Sequence, residues 1–151
     1  MIPGDFSLKK AKAHRKAYTS AYPFKHIVFD DFVPQELLRR VLGEIHNHTR
    51  SVLVEKVDTT SKRSATRLRK DQFAAIGEST ARFFHYLNSD VFLKFLEELT
   101  GVQNLRDDPA VTGAGVSSID HGGFLNIHAD FSQEPEKAPG WRRLNLLLHL
   151  N

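Results

Sequence analysis

His128 and Asp130 are the residues best suited to chemistry in this sequence, standing two apart at the end of Gly122-Gly123-Phe124-Leu125-Asn126-Ile127-His128-Ala129-Asp130. On a β-strand, side chains alternate faces, so the pair points one way and Ala129 the other. Set about 6–7 Å apart along the backbone, an imidazole nitrogen and a carboxylate oxygen can converge on one metal ion. Such donors suit a borderline divalent metal with open positions, and they supply two of the three ligands of a two-His-one-carboxylate site. No third ligand stands out. With eight His among 151 residues, roughly 0.5 His-x-Asp matches arise by chance, so the tripeptide gains its weight from context. Glycines precede an alternating strand that ends in the two polar groups, and a Pro-containing loop leads to a second apolar stretch, Arg142 to Leu150.

The elements that must position this pair are mostly helical and come first. Ser7 to about Ala17 is rich in Lys and Ala and reads as a helix with few apolar anchors. Lys25-His26-Ile27-Val28-Phe29 reads as a short strand ended by Asp30-Asp31. Pro34 opens a helix through about His46, in which Leu37, Leu38, Val41, Leu42 and Ile45 form one stripe suited to packing on a sheet. Val52 to Val57 reads as another strand, and the basic Ser/Thr-rich stretch to Lys70 as a loop. Asp71 to about Leu87 repeats Phe73, Ile76, Thr80, Phe83, Phe84 and Leu87 at helical intervals. A third amphipathic helix starts at a Ser89 or Asp90 cap, takes its core face from Phe92, Leu93, Phe95, Leu96 and Leu99, and stops at Gly101. From Val102 onward the composition turns to glycine and β-branched residues, an order that predicts helices backing a sheet or barrel, with Arg142 to Leu150 as an edge strand.

Composition narrows the class. One modest core and one domain fit a chain of 151 residues. With no cysteine, disulfides and thiolate metal sites are out, so a metal must rest on His and carboxylate ligands. No stretch approaches the roughly 20 apolar residues of a membrane span, and a cytoplasmic protein with no membrane partner is the expectation. Basic residues cluster in Lys9 to Lys16 and in Lys62 to Lys70. Neither cluster has interleaved aromatic residues to stack on bases, so both read as solvated faces and nucleic acid is not an expected partner. His46 and His48 fall near a helix end, where the dipole favours a cation over a metal role. Asp120-His121 reads as a plain turn.

Four motifs in order carry a resemblance. Phe95-Leu96-Glu97-Glu98-Leu99-Thr100-Gly101, Asp107-Asp108-Pro109, the Gly122 to Asp130 stretch and Arg142-Arg143-Leu144-Asn145-Leu146-Leu147-Leu148-His149-Leu150-Asn151 resemble the 2-oxoglutarate- and Fe(II)-dependent oxygenases of the prolyl 4-hydroxylase-like type. The resemblance implies an α+β fold, a double-stranded β-helix (a cupin-like jelly roll) with N-terminal helices packed outside it. Residues 1–101 would be the mainly helical support and 102–151 the start of the β-helix core of a single domain, with the barrel incomplete in this chain. His128 and Asp130 would be the first two iron ligands. The family's distal His and the basic residue that binds 2-oxoglutarate have no counterpart here. His149 stands where related hydroxylases often carry a Tyr that contacts the co-substrate, and Asn145 shares its face by strand alternation, so both are co-substrate candidates.

The implied activity is an oxidoreductase one: a dioxygenase that uses Fe(II), molecular oxygen and 2-oxoglutarate, with ascorbate as a further cofactor candidate, to hydroxylate a prolyl or other peptidyl side chain or a small molecule. On this reading the chain is the front part of a longer protein, and alone it has little or no turnover. Two other classes stand beside it. One is a noncatalytic jelly-roll binding domain, and the other a basic nucleic-acid-associated module built on Lys9 to Lys16 and Lys62 to Lys70.

Overall fold

A computed structural model describes residues 5–52, 57–58, 63–67, 75–108, 115–118, 121–122, 124, 126–127 and 142–150. These residues are built on four helices: α1 (Leu8–Ser20), α2 (Gln35–Val52), α3 (Glu78–Leu87) and α4 (Asp90–Thr100). Three short strands, β1 (Val57–Asp58), β2 (Arg63–Arg67) and β3 (Gly115–Ser118), pair antiparallel in the order β1-β2-β3. Val57 faces Ser64 across the first pair, and Ser64 faces Ser118 across the second.

Each helix begins where its chemistry allows. The Ser7 side chain accepts from the Lys10 N–H at 3.2 Å and caps α1. At α2 the Pro34 carbonyl accepts from the Leu37 and Leu38 N–H groups, using a residue that needs no donor of its own. Ser89 caps α4 through Phe92 N–H, and Gly101, at φ 78°, ends it in the left-handed conformation with its N–H on the Glu97 carbonyl at 2.9 Å.

Two cores hold these helices. In the first, α1 docks on α4 through Ala11, which is wholly buried, and Phe6, Phe92, Phe95 and Leu99 close around it. Edge-to-face contacts join Phe6 to Phe32 (4.5 Å) and to Phe92 (5.1 Å), the arrangement the ring quadrupole favours. In the second, α2 lies on α3 through Val33, Val41, Ile45, Ile76 and Phe83. Phe32 and Leu87 touch both clusters, so the two cores are continuous.

The expected double-stranded β-helix is overturned. The described residues form a helical assembly with one small meander; β1 begins at Val57, the end of the run predicted as a strand from Val52, but no strand comes from residues 25–29 or 142–150. Residues 25–29 have no regular secondary structure; Ile27 and Phe29 instead insert singly into the aromatic core. Residues 142–150 form no strand either, and Leu150 packs against the α2–α3 core. An apolar run becomes a strand only where another edge satisfies its backbone; of these two, Ile27, Phe29 and Leu150 pack on the helical cores instead. Two smaller corrections follow. α2 packs on α3 rather than on a sheet and runs on to Val52, where a strand was expected to begin, and the predicted loop before Lys70 contains β2.

Candidate metal centre

After α4 the chain is tied back to the helices before it reaches the His-x-Asp region. The Thr100 hydroxyl donates to the Leu96 carbonyl (2.7 Å) and accepts from Val102 N–H (3.1 Å). Glu97 accepts from Leu105 N–H at 2.8 Å, and the Asn88 side chain accepts from Asp108 N–H at 3.1 Å. Together these bonds fix the path of residues 101–108 over the α3–α4 turn. Beyond it, β3 is followed by a turn at His121 and Gly122, the latter at φ 75°. Phe124 and Ile127 are exposed just ahead of His128.

His128 and Asp130 lie outside the described residues. The co-substrate candidates Asn145 and His149 are described, and both are exposed. Without a strand, alternation no longer places them on one face, and Leu146, Leu147 and Leu148 between them are all exposed at 40% or more. His149 borders a cleft of about 120 Å³ with Gln35, Leu38, Arg39 and Leu42 of α2, and Leu150 closes it. Arg39 also reaches Glu36 at 3.7 Å, one turn earlier on the same helix. Among the described residues no group of three His, Asp or Glu is arranged to hold a metal ion. His46 lies exposed in α2 and His48 half-buried, and His121 occupies the turn its sequence suggested.

Two polar features escaped the sequence reading. Glu44 of α2 reaches across to the start of α3, where one carboxylate oxygen accepts from Ser79 N–H (3.0 Å) and the other from Thr80 N–H and hydroxyl (2.7 Å each). It stands in for the side-chain cap that Gly77 cannot supply, and it brings negative charge to the positive end of the helix dipole. Burial disfavours its charged form, but the hydrogen bonds from Ser79 and Thr80 outweigh that cost and hold the carboxyl below its ordinary 4.5. The signal in the sequence is faint: Glu44 sits at the margin of the α2 apolar stripe, and the structure shows that α3 opens after Gly77, which has no capping side chain. The second feature is the Tyr86 hydroxyl, buried with no hydrogen-bond partner among the described residues, where burial pushes its pKa up from 10.

No helix among the described residues is long and apolar enough to cross a membrane. In comparisons with known proteins, no family model, no curated protein and no solved structure matches the chain.

Proposed function

We propose that the chain serves an Fe(II)- and 2-oxoglutarate-dependent oxygenase, with His128 and Asp130 as metal ligands. The observation that carries this is the order of the four motifs between Phe95 and Asn151, in which His-x-Asp follows a glycine pair and precedes an apolar stretch holding Asn145 and His149. The donor chemistry fits: a cysteine-free chain offers a neutral imidazole nitrogen and a carboxylate oxygen, the ligand types non-haem Fe(II) takes. No barrel is part of the proposal.

When bound, Fe(II) with 2-oxoglutarate supplies oxidative decarboxylation coupled to hydroxylation of a substrate C–H bond. The chain's own residues have simpler tasks. His128 and Asp130 hold the ion, which requires a neutral imidazole and an ionised carboxylate, so binding weakens as pH falls through the His range. His149 and Asn145 offer hydrogen-bond donors to the co-substrate carboxylate. The helices hold residues 101–108 in place ahead of the motif. A peptidyl or small-molecule C–H bond is the proposed target.

The test is a linkage measurement on the chain itself, with Fe(II) titrated anaerobically in the absence and presence of 2-oxoglutarate. Chelation of the same ion by both requires the co-substrate to tighten metal binding, and the metal to tighten co-substrate binding by the same factor. Metal affinity that ignores 2-oxoglutarate would overturn the assignment.

A further inference from the structure

The N-terminal region carries a charge pattern that the oxygenase reading leaves unused. From Phe6 to Phe29 there is no Asp or Glu, while Lys9, Lys10, Lys12, Arg15, Lys16 and Lys25 are all basic. Two of these are engaged locally. Arg15 pairs with Glu98 at 3.4 Å, and the Lys10 ammonium lies over the Phe32 ring at 5.1 Å. Lys9, Lys12 and Lys16 recur at helical intervals along the exposed side of α1, spanning about 10 Å of helix axis, and Lys25 is exposed beyond its end. Lys12, Lys16 and Lys25 form no ion pair among the described residues. Asp5 lies near enough to Lys9 for attraction, but at the far end of the helix.

Aromatic residues complete the pattern. The basic cluster contains none, yet two residues past the end of α1 the chain exposes Tyr22 (90%) and, after Pro23, Phe24 (68%). The loop is ordered by a contact of its own: His26 Nδ1–H donates to the Phe24 carbonyl at 2.9 Å, and the two rings lie 5.2 Å apart. Burying such rings elsewhere in the chain would have been favourable, and here they stand exposed next along the chain from lysines that form no ion pair among the described residues.

We propose that the exposed face of α1 and the Tyr22–His26 loop form a binding surface for single-stranded nucleic acid. The lysines meet phosphates, and Tyr22 and Phe24 stack on bases, the combination that such surfaces use. A bilayer fits less well. A helix lying in a membrane interface must offer it an apolar face, and that of α1 is committed to α4 through Ala11. An acidic peptide would match the lysines but leave both rings without a role.

The experiment measures polarisation of a fluorescent oligo-dT of about 16 nucleotides against protein concentration at several salt concentrations. Three or four lysine–phosphate contacts predict a log–log salt slope of about −2 to −3, or about 20- to 50-fold weaker binding between about 50 and 200 mM salt. Lys12→Glu with Lys16→Glu, both on the surface, removes binding without lowering thermal stability. Tyr22→Ala with Phe24→Ala weakens it about 30-fold or more and leaves the salt slope unchanged. No binding at the lowest salt, or binding that survives the lysine changes, overturns the proposal. Unchanged affinity in the aromatic variant overturns it in favour of a generic polyanion surface, and tighter binding to phosphatidylserine vesicles than to oligo-dT overturns it in favour of a membrane.

Discussion

The two cores of this protein are held by different physics. Around α1 and α4, stability comes from packed aromatic rings, edge to face around Phe6 and stacked between Phe92 and Phe95, which are each 1% exposed. Between α2 and α3, aliphatic contacts share the work with one carboxylate, Glu44, which ties the start of α3 to the middle of α2. The first core has no carboxylate among its buried residues, whereas the second is clasped by a carboxylate whose bonds are lost on protonation. Because Phe32 and Leu87 belong to both, damage to either spreads to the other, and the contrast has to be drawn by substitution and by pH together.

The largest effect expected is in the aromatic core. Phe95→Ala leaves a ring-sized cavity among buried neighbours and should cost about 3–5 kcal/mol, read as a lower denaturant midpoint at neutral pH. The loss should be the same at pH 7 and pH 4. Next comes Glu44→Ala, which strands the Ser79 and Thr80 N–H groups and the fully buried Thr80 hydroxyl. About 2–3 kcal/mol is expected at neutral pH.

Acid should erase that second difference. The Glu44 carboxyl is held below 4.5 in the folded protein, so its contribution is present in full above the unfolded value and fades as pH falls through the folded one. Wild type and Glu44→Ala should therefore draw together in stability as pH falls through the folded value, below 4.5; curves that stay parallel would show that ionisation of Glu44 contributes nothing to the clasp. A smaller loss, about 1–2 kcal/mol, is expected for Gly77→Ala, because a Cβ there overlaps the Glu44 carboxylate and pushes it off its donors. Gly101→Ala should cost about 1 kcal/mol from its left-handed backbone, with no pH dependence, since its added Cβ meets only the end of Arg15.

Local signals in the sequence were reliable where a helix contains its own solution. α4 was legible from end to end, because Ser89, the Phe92–Phe95–Leu99 stripe and Gly101 each satisfy a requirement of that one helix. α2 was legible at Pro34 and in its stripe, while its extension to Val52 was not. What failed were elements that need a partner. Residues 25–29 and 142–150 have strand composition, and β2 has the Arg, Ser and Thr of a loop, but pairing decided each of them and the sequence does not display it. The strand periodicity that joined Asn145 to His149 failed with its strand. The sequence marks Glu44 only faintly for a similar reason, since the donors to its carboxylate lie 35 and 36 positions away. The His128 and Asp130 pair rests on residue types and spacing alone and lies outside the described residues.

The most direct test of the central claim is an anaerobic Fe(II) titration of the intact chain beside His128→Ala and Asp130→Ala. Each substitution should weaken binding by more than the roughly 10- to 100-fold that loss of a supporting partner of a metal ligand costs, while helix content stays unchanged. Equal affinity in all three proteins would contradict the metal assignment, and with it the oxygenase reading.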